Sequence, residues 1–194
     1  MKSPALIFLG AFLVNNIILM RFIGLCPFFG VSTAVETATG MGMAVIFVMT
    51  LAAWITWIIF HAVLLPFNLV FLRTATFILT IAALVQFVEM FMKKSYRALY
   101  NALGIYLPLI TTNCAILAVT FLNIDNKFGF LNSTVFAIGT GLGFTLVIIT
   151  FAAIRERLDR APINPALRGY PIAFIAASLT ALAFLGFTGL FGLT

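Results

Sequence analysis

The chain has 194 residues, 63% of them hydrophobic and 8% charged, with a mean hydropathy of +1.20. Soluble domains carry about 45–50% apolar and about 25% charged residues, so this composition excludes a water-soluble globular protein and indicates an integral membrane protein. The net charge of +6 comes from Lys and Arg in short clusters between apolar runs, which argues against a nucleic-acid partner and for a topology signal set against the lipid bilayer.

A helix needs about 20 mostly apolar residues to cross the hydrocarbon core. Runs of that kind, bounded by charges, Pro or polar turns, predict six spans near 5–25, 41–63, 72–92, 99–122, 134–154 and 170–190. The predicted fold class is an all-α membrane protein of six transmembrane helices forming a single integral membrane domain, 1–194. Residues 1–20 are not expected to be a signal peptide: they carry one Lys, lack a small-x-small cleavage site and lead into more apolar sequence.

The first span raises a geometric problem. Ala5 to Val35 is 31 residues with one charge, Arg21, and a single helix of that length would reach about 46 Å against a hydrocarbon core of about 30 Å. "GLCPFFGVS" (24–32) predicts a break, because Pro27 removes a backbone donor beside Cys26 while Gly24 and Gly30 loosen the neighbourhood. The second span ends near His61, the only histidine, which reads as an interfacial side chain. Along the third, Gln86 and Glu89 share a face, and Lys93 one turn beyond suggests an ion pair with Glu89 near the membrane surface. The fourth repeats the pattern of the first: Pro108 and Thr111-Thr112-Asn113 interrupt apolar sequence beside Cys114, the second of two cysteines. Asn15, Asn16, Asn101 and Asn113 are expected to hydrogen-bond between helices. Gly-x-Gly at 40–42 and 141–143 lacks a preceding strand and an acidic partner, so it reads as helix packing, not a nucleotide fingerprint.

Internal similarity divides the chain in two. "TGMGMAVIFVMTLAA" (39–53) resembles "TGLGFTLVIITFAA" (140–153), and "LRTATFILTIAAL" (72–84) can be laid against "LRGYPIAFIAASL" (167–179), in the same order and each set preceded by one cysteine. Pseudo-repeats 1–95 and 96–194 with three spans each must insert in opposite senses, and equivalent residues then face each other near the bilayer centre. Counting Lys and Arg by alternate loops gives Lys2, Arg73 and Lys127 on the side of the termini. The other side has Lys93, Lys94, Arg97, Arg155, Arg157, Arg160 and Arg168. The basic side is expected in the cytoplasm and both termini outside, in the periplasm of a Gram-negative cell.

Cysteine is often an inert small hydrophobe, but no packing requirement explains a thiol at both predicted breaks. Thiolate ligation of a metal does. A two-iron cluster normally takes four cysteinates, and a Rieske centre would take two histidines. Two cysteines and one histidine supply neither set, so the missing thiols would come from a related subunit across an interface. A secondary transporter with inverted repeats, or a passive anchor, is the alternative from a different class. Arg21, five residues before Cys26, either snorkels to the headgroups or lies near the cluster.

"NNIILMRFIGLCPFFGVS", "LYNALGIYLPLITTNCAIL", "FAAIRERLD" and "LRGYPIAFIAASLTALAF" resemble the A-type subunit family of the Rnf (Rsx) ion-translocating oxidoreductase complex over nearly the whole chain. The sister branch is the E-type subunit of the sodium-pumping NADH:quinone reductase, and Leu-Cys-Pro-Phe and Thr-Thr-Asn-Cys look more like the Rnf branch. The resemblance implies a multi-pass inner-membrane subunit, inactive alone, of a translocase that passes electrons between ferredoxin and NAD and couples them to Na+ or H+ transport. It implies that Cys26 and Cys114 hold half of an intramembrane [2Fe-2S] cluster completed by the homologous E-type membrane subunit of the Rnf complex. The B, C, D and G subunits would complete the assembly, with flavins and further iron–sulfur clusters on other subunits.

Overall fold

The computed structural model describes residues 3–67, 69–95, 109–110, 112–162 and 167–186. Among these the secondary structure is entirely helical: α1 (Pro4–Val14), α2 (Leu25–Val31), α3 (Val35–Leu64), α4 (Arg73–Ser95), α5 (Cys114–Asp125), α6 (Phe130–Asp159) and α7 (Tyr170–Leu185). The last turns of α1 and α3, Gly10–Val14 and Phe60–Leu64, are π-helical. Among the described residues three stretches are long and apolar enough to cross a membrane: Val35–Leu64, Val70–Met90 and Phe130–Asp159. Pro4–Val14, Cys114–Asp125 and Tyr170–Leu185 are shorter apolar helices.

Of the predicted span at 5–25 only the part up to Val14 is helical and 15–24 is not, so the interruption comes earlier than Pro27. α1 stops at Asn15 and α2 begins after Gly24, while Pro27 and Gly30 are both helical. Pro27 is the third residue of α2, in the first turn, where backbone N–H groups have no intrahelical acceptor and a missing donor costs nothing. In the fourth predicted span, 109–110 are helical, 112–113 are not, and helix resumes at Cys114. Pro108 and Asn101 lie outside the described residues. α3 starts six residues before its predicted start at 41, because the polar "ETAT" that reads as a loop ties its hydroxyls inward. Thr39 Oγ1 donates to Val35 O, and Thr37 Oγ1 to Val31 O and Ala34 O.

Side-chain contacts fix the direction of each helix relative to α6. Close approaches pair Phe8 with Gly139 and Phe12 with Gly143, Phe28 stacks on Phe151 at 4.2 Å, and Arg155 bonds Ser32. Thus α1 and α2 run parallel to α6. Gly42 meets Thr145, Gly141 meets Ile46, and Trp54 Nε1 donates to Thr134 Oγ1, so α3 runs antiparallel to it. The Arg73–Asp125 ion pair and the Phe77–Phe121 contact lay the start of α4 against the end of α5. Phe29 against Phe174, with Leu19 and Met20 beside Leu182, makes α7 antiparallel to α2. One end of the bundle therefore gathers Lys93, Lys94, Arg155, Arg157, Arg160 and Arg168. The other holds Arg73 and Lys127 with Trp54, Trp57 and Phe130, an aromatic grouping of the kind that lies at a bilayer surface.

The core is the α3–α6 seam, where small residues let the backbones approach in the absence of a hydrophobic driving force between helices. Met41, Met49, Phe144, Ile148 and Phe151 are fully enclosed there. A Cβ added at Gly143 would lie 2.7 Å from the backbone oxygen of Phe12 and 3.1 Å from Asn16 Nδ2, whereas one at Gly30 would make an ordinary 3.5 Å contact with Leu109. Gly143→Ala is therefore expected to destabilise the protein by about 1–3 kcal/mol through overpacking. Gly30→Ala should lie within about 1 kcal/mol of the parent, on the neutral or stabilising side. Unfolding in detergent by denaturant titration measures both.

Candidate functional site

The two helix interruptions meet at one depth. Asn16, fully buried, donates from Nδ2 to Gly143 O at 2.9 Å, while its Oδ1 accepts from the Ile18 amide at 3.1 Å. Gly24, at the far end of the same interruption, sits against Phe144, Ala115 and Asn113. Residues 143–144 are halfway along α6, whose 30 residues span about 45 Å at 1.5 Å per residue. The chain thus leaves α1 at mid-height, loops through 15–24 and re-enters helix at nearly the same level.

A loop at that depth must satisfy its own backbone, because lipid offers no hydrogen bonds. Met20 N bonds Asn16 O at 2.9 Å and Ile23 N bonds Ile17 O at 3.1 Å, and Ile17, Ile18 and Leu19 are buried beneath them. Phe22 at φ 53° and Gly24 at φ 90° turn the chain into α2. The second interruption is closed by Asn113, which caps α5 by accepting from the Ala115 amide at 3.0 Å.

Both cysteines stand at starts of helices facing this level: Cys26 is the second residue of α2 and Cys114 the first of α5. Both are free thiols and exposed in the isolated chain. Gly24, two residues from Cys26, donates its amide to Cys114 Sγ at 3.2 Å, so the two motifs are one site built from both halves of the sequence. From it α2 runs toward the basic end of the bundle and α5 toward the opposite end. Among the described residues no group of three or more His, Cys, Asp or Glu side chains converges. The donor set offered here is two thiols, which fits half of a four-thiolate set.

Arg155, counted in the sequence only for its charge, and its neighbour Glu156 hold this site in place. Arg155 Nη1 donates to Phe29 O at 2.9 Å and to Ser32 Oγ at 3.0 Å, with Ser32 fully buried. Glu156 Oε1 accepts from Val35 N at 3.0 Å, capping α3. Together they clamp the short helix that carries Cys26 and the turn after it. The adjacent Arg-Glu within "RERLD" is the only trace of this in the sequence, and nothing there names the backbone groups it reaches.

The other singled-out residues fall elsewhere. Arg21 lies in the interruption and, with Asn15, Asn126 and Thr140, lines a cavity of about 150 Å³ between α1, α5 and α6. His61 is exposed, stacks on Trp57 at 4.1 Å and bonds Trp57 O at 2.9 Å through Nδ1. Glu89 is half-buried on α4 beside Val85 and Ile110. The glycines at 42, 141 and 143 make close helix contacts.

Residues 5–191 match the family described as "Rnf-Nqr subunit, membrane protein". The chain belongs to this Rnf-Nqr family. It is 56% identical to the A subunit of the ion-translocating oxidoreductase complex of Syntrophotalea carbinolica over 98% of both chains. It is 55% identical to the A subunit of the Na(+)-translocating ferredoxin:NAD(+) oxidoreductase complex of Acetobacterium woodii, over 95% of this chain and 96% of the other. The A subunit of an ion-translocating oxidoreductase complex from Azoarcus sp. is 54% identical over 98% of both. The resemblance read from the cysteine motifs and "FAAIRERLD" holds at family level.

If the Arg155 contacts clamp the site as described, Arg155→Ala should cost about 1.5–3 kcal/mol of stability, the range for hydrogen bonds to a charged group with a buried partner left behind. Arg157→Ala, an exposed neighbour on the same turn, should be silent within about 0.5 kcal/mol. Denaturant unfolding in detergent and hydrogen exchange across α2 distinguish the two.

Proposed function

We propose that the chain is the A-type subunit of an Rnf ion-translocating ferredoxin:NAD oxidoreductase. In this reading Cys26 and Cys114 contribute half the ligands of an intramembrane [2Fe-2S] cluster, and two thiols of the homologous E-type subunit contribute the rest. The observation that carries it is the meeting of the two cysteine motifs at mid-height of the bundle, where the Gly24 amide of one donates to the Cys114 sulfur of the other. The names borne by the relatives from Syntrophotalea carbinolica and Acetobacterium woodii place this chain's activity within a complex, so it is one part of an enzyme. When bound, the cluster supplies one-electron relay chemistry near the middle of a hydrocarbon core of about 30 Å.

The chain's own residues hold and shield the thiols. Pro27 and Phe28 are buried behind Cys26, and Ala115 and Ile116 behind Cys114. Both cysteines remain exposed in the isolated chain, as ligation shared with a partner subunit requires. Asn113 and Gly24 fix the start of each thiol-bearing helix, and Arg155 fixes the end of α2. Opposite directions of α2 and α5, of α3 and α6, and of α4 and α7 support two inverted three-helix repeats as the source of this pairing. A partner of the same fold would bring its own thiol pair to the same level.

The clustering of Lys and Arg at one end of the bundle supports an orientation with that end in the cytoplasm and both termini in the periplasm. An impermeant thiol reagent on intact cells is expected to label Lys127→Cys and to spare Arg160→Cys; the reverse pattern inverts the orientation. For the site itself, Cys26→Ser or Cys114→Ser is expected to abolish the intramembrane iron–sulfur signal of the purified complex. Electron paramagnetic resonance and iron analysis measure this, and a retained signal refutes the ligation.

A further inference from the structure

The Gly24 amide makes a contact that holding two thiols does not require. It crosses from one half of the sequence to the other, 90 residues away, to reach Cys114 Sγ at 3.2 Å. Among the described residues no donor is placed on Cys26 Sγ. The backbone is shaped for this bond. Phe22 and Gly24 both adopt left-handed φ, 53° and 90°, a conformation that bulky residues rarely hold. Position 24 also lacks room for a side chain: an added Cβ would lie 3.1 Å from Ala115 Cβ and 3.4 Å from Phe144 Cε2. Conformation and space therefore independently demand glycine, and together they bring the amide against the sulfur.

We propose that the Gly24 amide is the potential-setting contact of this site, donating to the Cys114 sulfur that the chain presents to the metal. The inference rests on the thiolate-ligation reading and goes beyond it. An N–H bond to a coordinating thiolate withdraws charge from sulfur and stabilises the more negative, reduced state of an iron–sulfur centre, raising its potential. Gly24 is buried between α5 and α6, which limits access of water to the donor side of the bond. Gly24 acts through the sulfur and is a positioning residue.

The test uses the whole complex, purified from cells grown on 15N-glycine. Pulsed electron paramagnetic resonance of the reduced intramembrane cluster, identified as the signal lost in Cys114→Ser, is expected to show a coupling from a glycine amide nitrogen. Gly24→Ala is expected to lose that coupling and shift the midpoint potential to a lower value, while Arg157→Ala, an exposed change on α6, leaves both as they were. An unaltered complex with the cluster signal but no glycine coupling overturns the inference and leaves the ligation reading standing. So does an unchanged potential in Gly24→Ala. A complex with no cysteine-dependent cluster signal overturns both. Because the coupling is read on the unaltered protein, a Gly24→Ala complex that fails to assemble does not remove the test.

Discussion

Every backbone polar group within the hydrocarbon region must be bonded by the protein itself, and this chain has to meet that demand while breaking two helices in the middle of its bundle. The Asn16–Gly143 bond is where it does so. Gly143 has no side chain to hold Phe12 and Asn16 away from α6, so a carbonyl already used in the helix accepts a second donor from the interruption. The other amide atom of Asn16 takes up the Ile18 N–H released when α1 stops. With the loop anchored at that point, residues 17–19 can bury and Gly24 can arrive at α5.

From this anchoring follows the chemistry. A thiol in a continuous apolar helix has its neighbouring backbone groups consumed by the helix. One at a helix start sits beside amides that are still free to donate. Cys26 and Cys114 both occupy such positions, and the Gly24 amide uses that freedom across the two halves of the chain. Long full-height helices do the complementary work: α3 and α6 form a rigid seam against which the short ones are registered. The clamp from Arg155 and Glu156 reaches from the end of α6 to the turn that follows α2.

Membrane character, helical class and the pairing of two cysteine motifs were legible in the sequence because they depend on composition, run length and rough internal similarity. The expected sorting of basic residues also matches the bundle, with the described Lys and Arg of alternate loops collecting at opposite ends. The position of the first break was not legible. Pro27 looked like the breaker, yet the helix stops at Asn15, because proline is harmless in a first turn and the decisive event is a distant carbonyl bonding Asn16. The start of α3 was misplaced for a related reason: Thr37 and Thr39 satisfy their hydroxyls on nearby backbone carbonyls, which polarity alone does not reveal.

The sequence by itself determined that the chain lives in a bilayer as helices and that two thiols stand in unusual local surroundings, since hydrophobic transfer and backbone satisfaction act on short stretches. Only the tertiary structure decided that these surroundings are one place, at half the height of α6, and that a glycine amide from one half touches the sulfur of the other. Such contacts depend on the register between elements some 90 residues apart, and register is set by the summed packing of whole helix faces, which no local run of residues encodes.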